Sequence, residues 1–171
     1  MARASRSSDG LLDESSLDSA QLRGVLTNYS KARRPNLAVA ATAVFRAEKI
    51  LTAKMGTALN ALELSPDRYE ILALLTYTRG GRMSLKDLGN AVLRHPATTT
   101  YTADVLEKRG LIEREPDPRD RRGVLARITP AGRDLVRRAA KVLELIDWGL
   151  DELSDEEAAV VARVLSRLHP A

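Results

Sequence analysis

The sequence of 171 residues contains no cysteine. That absence excludes disulfides, thiol redox sensing and thiolate metal sites together. Histidine is nearly as scarce: His95 and His169 are the only two, far apart and each without a nearby ligand pattern. No metal and no cofactor is therefore expected. No apolar run approaches the ~18–20 residues needed to span a bilayer, so no membrane partner is expected. The opening MARASRSSDG lacks the apolar core of a signal peptide, which makes the cytoplasm the expected compartment. Catalytic signatures are missing too. No glycine-rich phosphate loop and no Ser-His-Asp arrangement occurs, so an enzyme is not expected.

What is present suits one sizeable core. Hydrophobic residues make up 44% of the chain, ordinary for a globular protein. The net charge of +4, with a pI near 9.6, favours an anionic partner without identifying one.

Residues 1–10 are small, polar and basic, the composition of a disordered tail, and 11–171 read as one domain. Leu11 to about Lys31 has loosely helical spacing, broken at Arg33-Arg34-Pro35. A long alanine-rich helix is expected from Asn36 to about Leu62, apolar on more than one face. Central core and dimer interface explain it equally well. Ser65-Pro66 is a capping residue followed by proline at the first helical position, and Gly80-Gly81 ends that helix. Arg82 and Met83 leave room for a very short strand. Ser84 and Asp87 form a capping box for a helix to about Leu93.

The next helix, from Pro96 to Arg109, opens with Thr98, Thr99, Thr100, Tyr101 and Thr102. Threonine is a mediocre helix former, so propensity does not explain the run. With Thr99, Ala103 and Leu106 inward, Thr98, Tyr101 and Thr102 point outward and Thr100 lies at the flank. Hydroxyls at a helix N-terminus suit phosphates and base edges. An ordinary solvated surface is the plain alternative.

Gly110 ends that helix, and a hairpin follows. Pro116 to Gly123 is expected to be irregular, because two prolines and a glycine punctuate it. Arg119, Arg121, Arg122 and Arg127 face one acid within their stretch, Asp120. Arginines at a hairpin tip suit the narrow, negative minor groove, while Asp120 is placed to orient one of them. The fold expected is mainly α with a small antiparallel β-wing, a winged helix-turn-helix. Thr129-Pro130 launches a long helix to about Asp151, near whose start Arg133, Arg137 and Arg138 read as solvated in preference to added phosphate contacts. Ser154 to Glu157 forms a second capping box before a short apolar helix that needs something to pack on.

The run Leu106-Glu107-Lys108-Arg109-Gly110-Leu111-Ile112-Glu113-Arg114, then Asp120-Arg121-Arg122, then Ile128-Thr129-Pro130-Ala131-Gly132-Arg133, resembles the signature of the MarR family of bacterial transcription regulators. The spacing from Gly110 to Asp120 and on to Gly132 matches without an insertion. The resemblance implies a homodimer, with dimerisation helices at about 11–62 and 130–169 around a DNA-binding lobe at about 64–129. Two recognition helices would read an inverted-repeat operator in double-stranded DNA. By position, Ala97, Thr98, Thr100 and Tyr101 correspond to residues in the major groove, and Arg121 and Arg122 to wing arginines, with Arg119 beside them. Tyr101 stands where many members carry arginine. The resemblance also implies a repressor released by a small aromatic or other organic acid. Phe45, Lys49, Tyr69 and Arg94 are candidates to line its cleft. The plain alternatives are core for Phe45 and Tyr69, and surface for Lys49 and Arg94. The competing functional class is an effector-independent winged-helix protein, acting as activator or architectural factor.

Overall fold

The computed structural model describes residues 34–118 and 120–168, with the backbone alone at Pro35, Arg121 and Arg122. The expected tail, the helix at Leu11–Lys31, Arg119 and His169 lie outside the described residues. The chain divides into two units, Met1–Lys49 and Ile50–Ala171.

Helix α1 (Pro35–Leu59) starts in the first unit and ends in the second. It begins at Pro35, where a fixed φ suits the first turn and the missing N–H is no loss. In the first unit Leu37, Val44 and Phe45 are exposed, so this end of α1 offers an apolar surface. The helix stops at Leu59, short of the expected Leu62. Asn60–Leu62 forms one tighter turn, and Glu63 turns left-handed at φ 50° to accommodate the exit.

The rest of the described chain belongs to the second unit. Ser65 caps α2 (Pro66–Tyr77) by accepting the Arg68 amide. Gly80 and Gly81, at φ 78° and 67°, then turn the chain into β1 (Arg82–Ser84). Ser84 accepts the Asp87 amide at 3.0 Å to start α3 (Leu85–Ala91). Next come α4 (Pro96–Lys108), β2 (Ile112–Asp117) and β3 (Asp120–Ile128). After them stand α5 (Pro130–Glu144) and α6 (Asp155–Leu165). The sheet is antiparallel in the order β1-β3-β2, with Met83 and Arg114 both opposite Ala126. Leu59, Ile71, Leu72, Leu75, Leu88, Leu106, Ile112, Val136 and Leu143 form a core drawn from every helix but α6 and from the sheet. Each such side chain contributes about 1.5–3 kcal/mol by leaving water.

Two sequence expectations need correction. The hairpin is not irregular from Pro116 to Gly123, since its strands run to Asp117 and resume at Asp120. Pro116 is exposed on the edge strand, where a missing N–H breaks no ladder, and the register slips between Pro116 and Asp117. Gly123 permits the closure, because a Cβ there would come within 3.0–3.1 Å of the Cβ atoms of Asp117 and Asp120. Helix α5, in turn, does not reach Asp151. Asp147, Trp148 and Gly149 are all left-handed, at φ 46°, 57° and 81°. Lys54 holds this corner by donating to the Gly149 carbonyl at 3.1 Å and to Asp151 at 2.6 Å.

Around α5 and α6 the local signals act as expected. Thr129 accepts the Gly132 amide at 3.1 Å to cap α5. Ser154 and Glu157 make a complete capping box on α6, none of whose residues is buried. Gly132 has no room for a side chain, because a Cβ there would overlap the Leu111 carbonyl oxygen. Gly132→Ala should therefore destabilise the second unit by about 3 kcal/mol, the upper range for overpacking. A urea midpoint unchanged from the parent protein would refute this close contact.

Candidate nucleic-acid interface

Helix α4 and the β2–β3 hairpin form the candidate surface. The His95 ring nitrogen accepts the Ala97 amide at 3.3 Å, and Pro96 occupies the first position, so α4 starts sharply. Its 13 residues extend about 20 Å, enough to lie along a major groove. Thr99, Thr102, Ala103 and Leu106 face inward at three- and four-residue spacing. Ala97, Thr98 and Thr100 are exposed, and Tyr101 is 65% exposed.

Thr102 departs from expectation. Helical spacing predicts an outward position, yet it is 8% exposed. Its hydroxyl donates to the Thr98 carbonyl at 2.9 Å, which satisfies the polar atom and lets the methyl pack. Thr99 likewise donates to the His95 carbonyl, and a Cβ on Gly89 of α3 would sit 3.0 Å from its oxygen. The two helices approach closely because glycine stands at that point.

In the hairpin, Arg127 is not a tip arginine. It forms a bidentate pair with Glu115 across the strands, at 2.8 and 3.1 Å, and Arg82 adds a bond from β1 at 3.2 Å. One carboxylate thus ties all three strands together. The Arg127 hydrogen bond, then that of Arg82, holds the Glu115 carboxyl below its ordinary pKa. Arg114, on β2, points to α4. It donates to the Thr100 carbonyl at 3.1 Å and pairs with Asp104 at 2.6 Å. Arg121 and Arg122 stand near the start of β3, beside exposed Asp120, whose backbone pairs with Asp117. The side chains of Arg121 and Arg122, like the whole of Arg119, lie outside the described residues.

The residues suggested for an effector have separate surroundings. Phe45 is 70% exposed, so it is not a core residue of its unit, and Lys49 is exposed as well. Tyr69 is 7% exposed, with its ring centroid 6.1 Å from that of Trp148. Arg94 pairs with Asp67 at 2.5 Å and approaches Glu70 at 3.9 Å, tying the α3–α4 turn to α2. Arg133 is not merely solvated, since it donates to the Thr76 carbonyl at the end of α2. Among the described residues, no cluster of three or more His, Asp or Glu is placed to hold a metal. No described helix is long and apolar enough to cross a membrane.

Sequence reasoning missed the internal roles of Arg82, Arg109, Arg114 and Arg127. Arg109 donates to the Glu63 carbonyl at 2.6 Å, fastening the end of α4 to the turn after α1. The alternation Glu113-Arg114-Glu115 was a usable signal. Successive strand residues face opposite sides, so Arg114 and Glu115 must find different partners.

Two short helices and a three-stranded sheet with its β2–β3 hairpin define a winged helix-turn-helix, the architecture of transcription regulators rather than of enzymes. The chain belongs to the MarR family. The MarR family model matches residues 64–124. The HTH-type transcriptional regulator MhqR of Bacillus subtilis is 30% identical over 128 residues, covering 72% of this chain and 84% of that protein. YkoM, an HTH-type regulator of the same organism, is 33% identical over 62% of this chain, but the match spans only 58% of YkoM. Among solved structures, the MarR family regulator Sco5413 of Streptomyces coelicolor is 33% identical, with a TM-score of 0.71 over 78% of this chain and 91% of that one.

The Glu115 knot sets a pH dependence. A carboxylate stabilised as the anion favours the folded state above the ordinary carboxylate range, and this contribution disappears as pH falls through its lowered value. The stability difference between the parent protein and Glu115→Gln should thus be full at pH 6–7 and shrink as pH falls below the usual Glu range. Thermal midpoints of both proteins across that interval check it; a difference independent of pH would exclude the charged knot.

Proposed function

We propose that the protein is a sequence-specific DNA-binding repressor acting as a homodimer on an inverted-repeat operator. The observation that carries this reading is the exposed N-terminal end of α4, with Ala97, Thr98, Thr100 and Tyr101 outward above a packed underside. In this reading those four residues meet base edges and phosphates in the major groove. Arg119, Arg121 and Arg122 reach the backbone or minor groove from the hairpin, and Asp120 orients one of them. Support also comes from Sco3205 of Streptomyces coelicolor, which shares the fold at 20% identity and was crystallised in complex with DNA. Each unit leaves apolar residues exposed, Phe45 on α1 in the first and Val164 on α6 in the second, and these are surfaces that a second copy would cover. The 11–62 and 130–169 segments then serve as the dimerisation helices, and the protein works in the cytoplasm.

The effector would be a small aromatic or organic acid that releases the operator, with Phe45, Lys49, Tyr69 and Arg94 as the candidate contacts. A specific observation favours the second reading, an effector-independent activator or architectural factor. Tyr69 and Arg94 are already engaged, with Trp148 and with Asp67. Selecting bound fragments from a genomic pool, then adding benzoate or 2-hydroxybenzoate, separates the two: release supports the repressor, whereas unchanged binding over a panel of such acids supports the second.

Two measurements test the DNA mode. Footprints on selected fragments should contain half-sites about 10 base pairs apart, centre to centre. A footprint lacking an inverted repeat, or a monomer at micromolar concentration, would end the dimer proposal. Arg122→Ala should weaken binding and reduce the slope of log affinity against log salt by about one unit, as expected for one lost phosphate contact. An affinity unchanged at moderate salt would return Arg122 to the solvated surface.

A further inference from the structure

Arg114 lies on β2, opposite Ala126 of β3, and its side chain is 22% exposed. Its guanidinium leaves the hairpin and spans one face of α4. It donates to the Thr100 carbonyl at 3.1 Å, pairs with Asp104 at 2.6 Å, and brings Nε within 3.5 Å of Glu107. Thr100, Asp104 and Glu107 are spaced four and three apart, so they form one stripe along the helix. One planar cation therefore grips α4 over about two turns. A lysine could not reproduce this grip, because its single ammonium lacks the fixed fork.

The stripe begins at one of the residues proposed to read DNA. Any rotation of α4 about its axis would move Thr98, Thr100 and Tyr101 together. The inward residues Thr99, Thr102, Ala103 and Leu106 pack the underside of α4. Arg114 adds directional contacts along its flank, and Arg109 adds one at its end. Arg114 also neutralises two half-exposed carboxylates, Asp104 and Glu107, on a helix that would approach a polyanion.

We infer that Arg114 is a specificity-positioning residue: without touching DNA, it fixes the rotation of α4 against the hairpin so that the reading residues meet the groove in one orientation. This inference rests on the proposed reading role of α4. Its signature is a loss of discrimination distinct from a loss of affinity.

The test uses the full-length protein and two duplexes of equal length, one recovered by the parent protein from a genomic pool and one of random sequence. The ratio of their affinities measures discrimination. Arg114→Gln should lower that ratio about tenfold, the scale of one specific base contact, and Arg114→Lys should recover part of it. A second variant, Asp104→Asn with Glu107→Gln, keeps Arg114 but removes two of its anchors. It should bind random DNA more tightly, since two negative charges are gone, while its ratio falls. A merely structural role does not move those two quantities in opposite directions. If Arg114→Gln fails to fold, by circular dichroism and thermal melting, the second variant decides alone. Ratios equal to the parent's, or equal losses on both duplexes, overturn the inference. A parent protein without any preference would sink the proposed function and this inference with it, whereas a preference that survives in every folded variant sinks the inference alone.

Discussion

Thr129 stands where the hairpin, α4 and α5 meet, and the rest of the second unit depends on its hydroxyl. That oxygen donates to the Gly110 carbonyl at 2.8 Å and accepts the Gly132 amide at 3.1 Å. The Thr129 backbone amide reaches the Leu111 carbonyl at 3.1 Å. These bonds join the residues just after α4 to the root of β3 and the first turn of α5. Gly132 completes the joint by allowing α5 to rest against the Leu111 carbonyl. The hairpin therefore projects from a fixed base, and its direction relative to α4 is set before any charge at its tip matters.

A basic composition overstates the positive surface this unit offers. Arg82 and Arg127 converge on Glu115, Arg114 on Asp104, and Arg94 on Asp67. Arg109 and Arg133 donate to backbone carbonyls at the ends of neighbouring elements. These guanidiniums act as cross-links between elements, a task for which their planar, multiply donating shape is suited. Most of the pairs are partly exposed, where solvent screening leaves an isolated ion pair worth little. Their value lies in direction: each links two elements through contacts of defined geometry.

This division explains what was legible in the sequence. Helix starts at Ser65-Pro66, Thr129-Pro130 and Ser154 were readable because a cap is decided within four residues. Gly110, which ends α4 at a left-handed φ, was readable for the same reason. Pro116 misled, since an interior strand would reject it and only the sheet order reveals an edge. Thr102 misled as well, because a threonine that bonds its own helix backbone can be buried like valine. The end of α5 was invisible: the left-handed corner at Asp147 to Gly149 is held by Lys54, 95 positions before Gly149. The arginine partners escaped for a similar reason, since pairing across elements is not written in local spacing. The family signature reached the hairpin arginines by position, a route that gives identity without geometry.

From Pro96 to Ala103 helix α4 carries no charged residue at all. Its exposed end presents hydroxyls and a phenol at a helix N-terminus, which is mildly attractive to anions. Such groups discriminate through hydrogen-bond geometry and contribute little to salt-dependent affinity. Tyr101 sharpens the point, because a phenol replaces the cation that many relatives place there. If α4 reads the sequence in this protein, the electrostatic part of binding must come from outside its first two turns. In the proposed mode that source is the hairpin arginines. Discrimination and attraction would then reside on separate elements, and the rigidity of the joint between them would decide whether both act on the same stretch of DNA.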